Sequence, residues 1–206
     1  MERAAAGEDQ RGLLERARAG DEAAFAGLVS MHAPRLLRLA RGILGDAASA
    51  EDAVQEALFQ AWRGLSGFRG DAALSTWLHT ITVRSCQRQL RARHPAEPLD
   101  RMHAVDQAWA DSRYTVDPVE VLTRAAQRED LHAAVARLPE PYRIALLLHD
   151  VEGLSASKVA VATGVPLGTA KARIRRARAA LVTDLASRCL DPRPPRAMSR
   201  DATKEN

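Results

Sequence analysis

Apolar residues recur along most of the chain at spacings of three and four, which is the period of an amphipathic α-helix. The first such pattern runs from about Arg11 to Ala19. A second continues to Gly45, with Pro34 as a candidate kink. A third is expected to open near Ser49 and to continue through position 62. The first half of the chain is therefore predicted to be a set of consecutive helices.

A long break divides the periodic pattern into two parts. After a turn-rich loop at 64–71, one helix is predicted from Leu74 to about Arg93. Between 95 and 117 the periodicity fails among prolines and scattered charges, which is typical of a linker. Helical patterns then resume over 118–138 and from Pro139 to Val151. The pattern predicts an N-terminal extension at 1–18, a helical domain at 19–94, a flexible linker at 95–117, a second helical domain at 118–188 and a disordered tail at 189–206.

Composition supports an all-α fold of two small helical domains. The chain has 206 residues, of which only 4% are aromatic, and runs of β-branched residues typical of strands are absent. The formal net charge of +4 suits an anionic partner without identifying it. No apolar run approaches the ~20 residues needed to span a bilayer, and no signal peptide opens the chain. We expect no membrane insertion and a cytoplasmic location.

The stretch from 153 to 181 has the pattern of a helix-turn-helix. Ser155 is a good N-cap for a short helix that reaches Thr163. Gly164 supplies a C-terminal stop, and Pro166 a new helix start. From Val165 to Val182 no acidic residue occurs. A basic helix alone is often only a solvated surface, but the sharp turn and the preceding short helix favour a helix that enters the major groove.

The second helix of this unit has one apolar and one basic side. An apolar seam is formed by Ala170, Ile174, Ala177 and Leu181. The candidate DNA-binding residues are Thr169, Lys171, Ala172, Arg173, Arg175, Arg176 and Arg178. Arg173 and Arg176 are expected to read base edges, whereas Arg178, closer to the seam, is expected to contact phosphate.

Several motifs together resemble the sigma-70 family of bacterial transcription initiation factors, and specifically its extracytoplasmic-function (ECF) group. The segments that resemble region 2 are AEDAVQEALFQAW at 50–62, FRGD at 68–71 and TWL at 76–78. Those that resemble region 4 are LPEPYR at 138–143, DVEGLS at 150–155 and GVPLGTAKARIRRARAAL at 164–181. Two linked motif sets in the expected order are a specific signal.

The resemblance implies binding to core RNA polymerase, recognition of the −10 and −35 promoter elements, and opening of the duplex. Asp52, Gln55, Glu56 and Phe59 would contact the clamp helices of the largest polymerase subunit. The residues implied at the −10 element and in melting are Phe68, Arg69, Asp71, Trp77, Arg84, Arg88 and Arg91. The basic helix would read the −35 element. The group also implies an anti-sigma factor as partner, and no cofactor.

Two departures from the family pattern limit what can be carried over. Arg84 stands where the family often has Asn or a small polar residue, so the −10 preference cannot be copied. Ala172 replaces a typical polar residue; it can contact a thymine methyl but cannot donate a hydrogen bond.

The sequence leaves two other classes of function to consider. A two-domain helix-turn-helix regulator that never meets polymerase is the main alternative, and co-purification with core enzyme distinguishes the two. An enzyme is disfavoured because the sequence shows no nucleophile with a base, no phosphate-binding glycine loop and no metal-ligand set, and neither Cys86 nor Cys189 has short-spaced ligand partners. At His32, His79 and His149 a packed or solvated imidazole is expected.

Overall fold

The computed structural model describes residues 2–93 and 130–190, and within these ranges every regular element is a helix. The N-terminal unit contains α1 (Glu2–Arg18), α2 (Glu22–Leu44), α3 (Ala47–Gly64), a 3-10 turn (Leu65–Gly67) and α4 (Leu74–Arg93). The C-terminal unit contains α5 (Asp130–Arg137), α6 (Glu140–Leu146), a π-helical turn (Leu147–Val151), α7 (Ala156–Thr163) and α8 (Leu167–Leu190). The predicted linker, the predicted tail from 191 onward and the first part of the predicted 118–138 helix lie outside the described residues.

Most helix boundaries follow the sequence prediction, and the differences have local causes. Helix α1 begins at Glu2 rather than near Arg11. Helix α3 begins two residues before Ser49 because Asp46 is its N-cap, with Oδ1 accepting from the Ser49 amide at 2.8 Å. Pro34 lies inside a single α2 helix, which Gly45 ends at a φ of 82°.

The two units share one hydrophobic core. Leu39 and Ile43 of α2 and Val83 of α4 belong to the same buried cluster as Leu148 of the π-helical turn and Val159 of α7. Helix α4 contacts α2 and α3 in its own unit and also α7 in the other. A smaller cluster completes the C-terminal unit: Ala134, Leu138, Tyr142, Leu146, Ala177, Leu181 and Leu185. The two predicted helical domains are therefore packed against each other.

One close approach joins the units at a glycine. Gly42 lies in the interior of α2, where a Cβ atom would come within 2.9 Å of Leu147 Cδ1. The missing side chain lets the π-helical turn approach the α2 backbone.

Asp46 is a testable anchor for α3. Bonds from Ser49 and from the Arg93 guanidinium lower the pKa of Asp46 from 3.8 to about 2. Because this pKa is lower in the folded state, the contribution of Asp46 to stability is present above about pH 4 and is lost as the pH falls toward 2. We expect Asp46→Ala to lower the thermal unfolding midpoint at pH 6, and the gap to wild type to narrow between pH 4 and pH 2. Asp71→Ala, at an exposed loop residue, is the control. A gap that stays constant down to pH 2 would contradict this account.

Candidate functional site

An acidic and apolar strip lies on the outer side of α3. Asp52 and Gln55 are exposed, Glu56 is half-buried, and Phe59 is 54% exposed. We call these four residues the α3 outer strip. Glu56 accepts a hydrogen bond from Gln60 at 2.8 Å, and the Arg63 guanidinium lies 5.7 Å from the centre of the Phe59 ring. The strip leaves a large aromatic ring in solvent beside carboxylates, which is typical of a protein-binding surface.

In the loop at 68–73, between the 3-10 turn and α4, the aromatic side chain faces the core and the charged side chains face solvent. Phe68 is buried, and its ring packs against Trp77 with centroids 5.0 Å apart, whereas Trp77 is half-buried. Arg69 and Asp71 are exposed on either side of Gly70, whose φ is 82°. Phe68 therefore cannot meet a base from this position, because its ring is part of the core. It instead holds the loop that presents Arg69 and Asp71.

The far end of α4 carries a basic surface. Arg84, Arg88 and Arg91 are exposed there, as predicted from the sequence. Arg88 lies 3.6 Å from a Glu56 carboxylate oxygen, so the basic surface adjoins the α3 outer strip. Arg93, at the end of the helix, donates to Asp46 at 3.0 Å and also to the Ser49 hydroxyl.

Helices α7 and α8 form the helix-turn-helix that the sequence predicts. Ser155 caps α7 by accepting from the Lys158 amide at 3.4 Å, a long bond. Gly164 adopts the left-handed conformation at a φ of 68°, and α8 begins directly after Pro166. The predicted seam is buried at Ala170, Ile174, Ala177 and Leu181. The turn chemistry and the seam are therefore confirmed.

The basic side of α8 is not uniformly exposed. Lys171, Arg175 and Arg178 are exposed, whereas Thr169, Ala172, Arg173 and Arg176 are half-buried. Arg173 is about 60° from the seam at 100° per residue, which explains its partial burial. The most accessible arc of the helix thus runs through Lys171 and Arg175.

Arg178 has an acidic partner that local sequence spacing does not reveal. Its Nε donates to Asp150 at 2.9 Å, and its Nη2 donates to the other oxygen of the same carboxylate. The hydrogen bonds that Arg178 donates to Asp150 raise the pKa of Arg178. This ion pair ties α8 to the π-helical turn, while the Arg178 side chain stays 52% exposed, so the phosphate contact expected for Arg178 stays a prediction.

An apolar groove lies beside this ion pair. It has a volume of about 520 Å³ and is lined by α5, the π-helical turn and α8. Leu131, Val135, Leu147 and Val182 supply apolar lining, and the Arg178–Asp150 pair borders it.

No cluster of side chains suited to a metal ion occurs among the residues that the structure describes. In the same ranges, no helix has the length and hydropathy to cross a bilayer. Cys86 is free and buried, and burial raises the pKa of its thiol to about 12, so it is a poor nucleophile.

Comparisons with known proteins match both halves of the chain. The family model for sigma-70 region 2 matches residues 28–95, and that for sigma-70 region 4 matches residues 128–181. RNA polymerase sigma-H factor from Pseudomonas aeruginosa is 35% identical over 178 residues, which covers 84% of this chain and 92% of the relative. ECF RNA polymerase sigma factor SigM from Mycobacterium tuberculosis is 39% identical over 165 residues, covering 79% of this chain and 78% of the relative.

Among solved structures, the sigma factor RpoE from Bartonella quintana, in complex with the anti-sigma factor NepR, is similar in fold. The TM-score is 0.59 at 24% identity, with 79% of this chain and 96% of that chain covered.

The Asp150–Arg178 pair can be measured by a double-mutant cycle. We expect Asp150→Asn and Arg178→Ala to couple by about 0.2–1 kcal/mol in urea unfolding, because both side chains are partly solvated. Their exposed fractions are 29% and 52%. Raising the salt concentration should reduce the coupling. Strictly additive effects would show that the ion pair does not stabilise the fold in solution.

Proposed function

The chain belongs to the sigma-70 family, as an RNA polymerase sigma factor of the ECF type, and from this premise we propose which of its surfaces meet the polymerase and the promoter. A regulator that never meets polymerase does not account for the match to region 2. We propose domain limits of 19–94 and 118–188, with α1 packed against α2 as an N-terminal extension of the first domain. The observation that supports the assignment of surfaces is that three surface patches, one acidic and apolar and two basic, lie on the segments that match regions 2 and 4.

The α3 outer strip is proposed to bind the clamp helices of core polymerase. Phe59 is the most exposed aromatic ring among the described residues of the N-terminal unit, and it lies beside the carboxylates of Asp52 and Glu56. An aromatic anchor bordered by charges is typical of an interface centre and rim.

The −10 element is proposed to meet the loop at Arg69 and Asp71 and the basic end of α4 at Arg84, Arg88 and Arg91. All five side chains are exposed. Phe68 and Trp77 act by holding the loop shape, because their rings pack against each other. Adjacent exposed guanidinium groups suit a single strand held by its phosphates.

The −35 element is proposed to lie along α8. The accessible cations Lys171 and Arg175 and the half-buried Arg176 all fall within the first three turns, the part of a recognition helix that reaches base edges. An Arg can bind guanine with two hydrogen bonds, whereas a Lys acts as a point charge toward phosphate. Thr169, Ala172 and Arg173 flank this arc, and Arg178 positions the helix through Asp150.

A protein partner of the anti-sigma kind is also proposed. The support is that the solved sigma factor RpoE of similar fold is in complex with the anti-sigma factor NepR. The protein would then act in the cytoplasm, where polymerase and promoter DNA are found. It would act by binding, with no enzymatic step of its own and no cofactor.

Charge reversal tests the α3 outer strip. We expect the double substitution Asp52→Lys and Glu56→Lys to weaken the affinity for core polymerase by about tenfold or more, since the rim charges would then repel a basic partner. Fluorescence anisotropy of the labelled full chain with core enzyme measures it.

The matched control is the double substitution Glu15→Lys and Glu22→Lys. Both carboxylates are exposed and lie on α1 and α2, so the same change in charge is made outside α3. Equal losses for the strip variant and the control would remove the strip from the interface.

Substitutions in α8 test the −35 assignment. We expect Arg176→Ala to relax sequence preference, costing about 1–3 kcal/mol only on the preferred base. Lys171→Ala should weaken binding to all sequences about equally and reduce the salt slope by about one. A panel of single-base promoter variants, assayed with holoenzyme, measures both. A uniform loss for Arg176→Ala would assign that side chain to positioning rather than reading.

A further inference from the structure

Three polar side chains from distant parts of the chain meet at the contact between the two units. The Glu152 carboxylate is fully buried at the end of the π-helical turn. Arg35 of α2 donates from Nε to Glu152 Oε2 at 3.2 Å, and from Nη2 to the Glu152 carbonyl at 3.4 Å. The Nε2 atom of His79, on α4, lies 3.4 Å from the same Oε2. We call Arg35, His79 and Glu152 the Glu152 cluster.

The hydrogen-bond geometry fixes the tautomer of His79. Its Nδ1 lies 2.5 Å from the carbonyl oxygen of Ser75. A carbonyl oxygen only accepts, so Nδ1 carries a hydrogen. In a neutral imidazole, Nε2 would then present a lone pair to the Glu152 carboxylate, and two acceptors would face each other. The contact becomes favourable when one proton lies between Nε2 and Oε2.

We call the chain closed when its two units are packed together. In the closed chain, the His79–Glu152 pair therefore holds one proton more than a neutral His79 and an ionised Glu152 hold in water. The second carboxylate oxygen of Glu152, Oε1, is also buried and has no hydrogen-bond partner among the residues that the structure describes. An ionised carboxylate in this position loses hydrogen bonds to water at Oε1 and gains none in exchange, which costs free energy. Both observations indicate that closure depends on the protonation of the pair.

The other titratable groups near the pair lie on α2, α3, α7 and the π-helical turn, where His149 Nδ1 lies 2.6 Å from the Leu154 carbonyl oxygen and Asp150 accepts from Arg178. From α2, His32 and Arg35 face the pair, and the pKa of His32 is lowered by burial, by His79 and by Arg35. His32 thus stays neutral more readily than a solvated histidine. Lys158 is the single charged residue of α7 and is exposed. The charged residues of α3 lie on its exposed or half-buried outer side: Glu51, Asp52, Glu56 and Arg63.

Closure matters because promoter binding requires the two units to separate. Elements 25 base pairs apart are about 85 Å apart along straight B-form DNA. In the closed structure, α4 directly contacts α7 of the helix-turn-helix. The basic end of α4 and the recognition helix cannot then reach both elements at once. Separation exposes His79 and Glu152 to water.

We propose that the Glu152 cluster is a proton-dependent latch between the two units: the protonated His79–Glu152 pair keeps the chain closed, and loss of that proton favours an open chain that can span a promoter. The role in promoter binding rests on the proposed function, but the latch itself can be measured without polymerase or DNA.

Small-angle X-ray scattering of the full chain at pH 6 and pH 8, at constant ionic strength, tests the latch. Histidine is the side chain whose charge commonly changes within this range of pH. We expect the radius of gyration of the wild type to increase by about a tenth or more at pH 8, because separated units occupy more space than packed ones. An unchanged radius would overturn the proposal.

Two variants separate a proton latch from a simple ion pair. In Glu152→Gln the amide can donate to His79 Nε2 without any added proton, so this variant should stay closed at both pH values. A simple ion pair predicts the opposite, since removing the charge would loosen the contact, and an open Glu152→Gln chain would overturn the latch. His79→Gln should have the same radius at both pH values, and a retained pH shift would also overturn it.

Two controls complete the design. His132→Gln, at an exposed histidine of α5, should keep the wild-type shift. Gln87→Ala removes a 2.9 Å hydrogen bond from α4 to Glu140, a contact between the units outside the cluster. It should enlarge the radius at both pH values while keeping the pH dependence. Far-UV circular dichroism confirms that each variant keeps its helices, and loss of the shift in His132→Gln would contradict the assignment to His79.

Discussion

Helix α4 packs against α2 and α3 on one side and against α7 on the other, and the surrounding helices are arranged around these contacts. A helix buried on two sides must satisfy its polar side chains internally. Thr80 and Thr82 do so by donating to the carbonyls of Thr76 and Leu78, at 2.8 and 2.9 Å. The fully exposed side chains of α4 lie in its C-terminal half, and the arginines are concentrated there.

The surfaces assigned to polymerase and to the −10 element are neighbours because α3 and α4 pack side by side. The 3.6 Å approach of Arg88 to Glu56 joins a basic patch to an acidic one. An exposed pair of this kind contributes little to stability. It does allow a partner that binds the Glu56 carboxylate to change the electrostatic environment of Arg88, so that occupation of one surface can influence the other.

Local signals in the sequence predict the helices and the helix-turn-helix well. Ser155, Gly164 and Pro166 act through their own backbone geometry, and the Ala170 to Leu181 seam follows from helical period alone, so all of them can be read from neighbouring residues. The packing of the two units is different. Apolar spacing shows that a face is buried but not which face it meets, and the continuous core from α2 to α7 therefore had no signal in the pattern.

The side-chain pairs that join distant elements escaped prediction for the same reason. His79 and Glu152 are 73 positions apart, and Arg178 and Asp150 are 28 apart, so neither pair has a characteristic spacing. In the sequence alone, nothing distinguishes Arg178 from the other cations of this basic helix. Phe68 was assigned to DNA by resemblance, whereas its apolar ring follows the ordinary preference for burial.

Gly42 gives the contact between the units a particular vulnerability. A glycine inside a helix costs about 1 kcal/mol relative to alanine, so α2 gives up intrinsic stability at the point where Leu147 approaches its backbone. An alanine there would strengthen the isolated helix while crowding the neighbouring leucine. At position 42, therefore, alanine would favour the helix itself, whereas glycine favours the close packing of α2 against the π-helical turn. The size of the side chain at this position limits how closely the two units can approach.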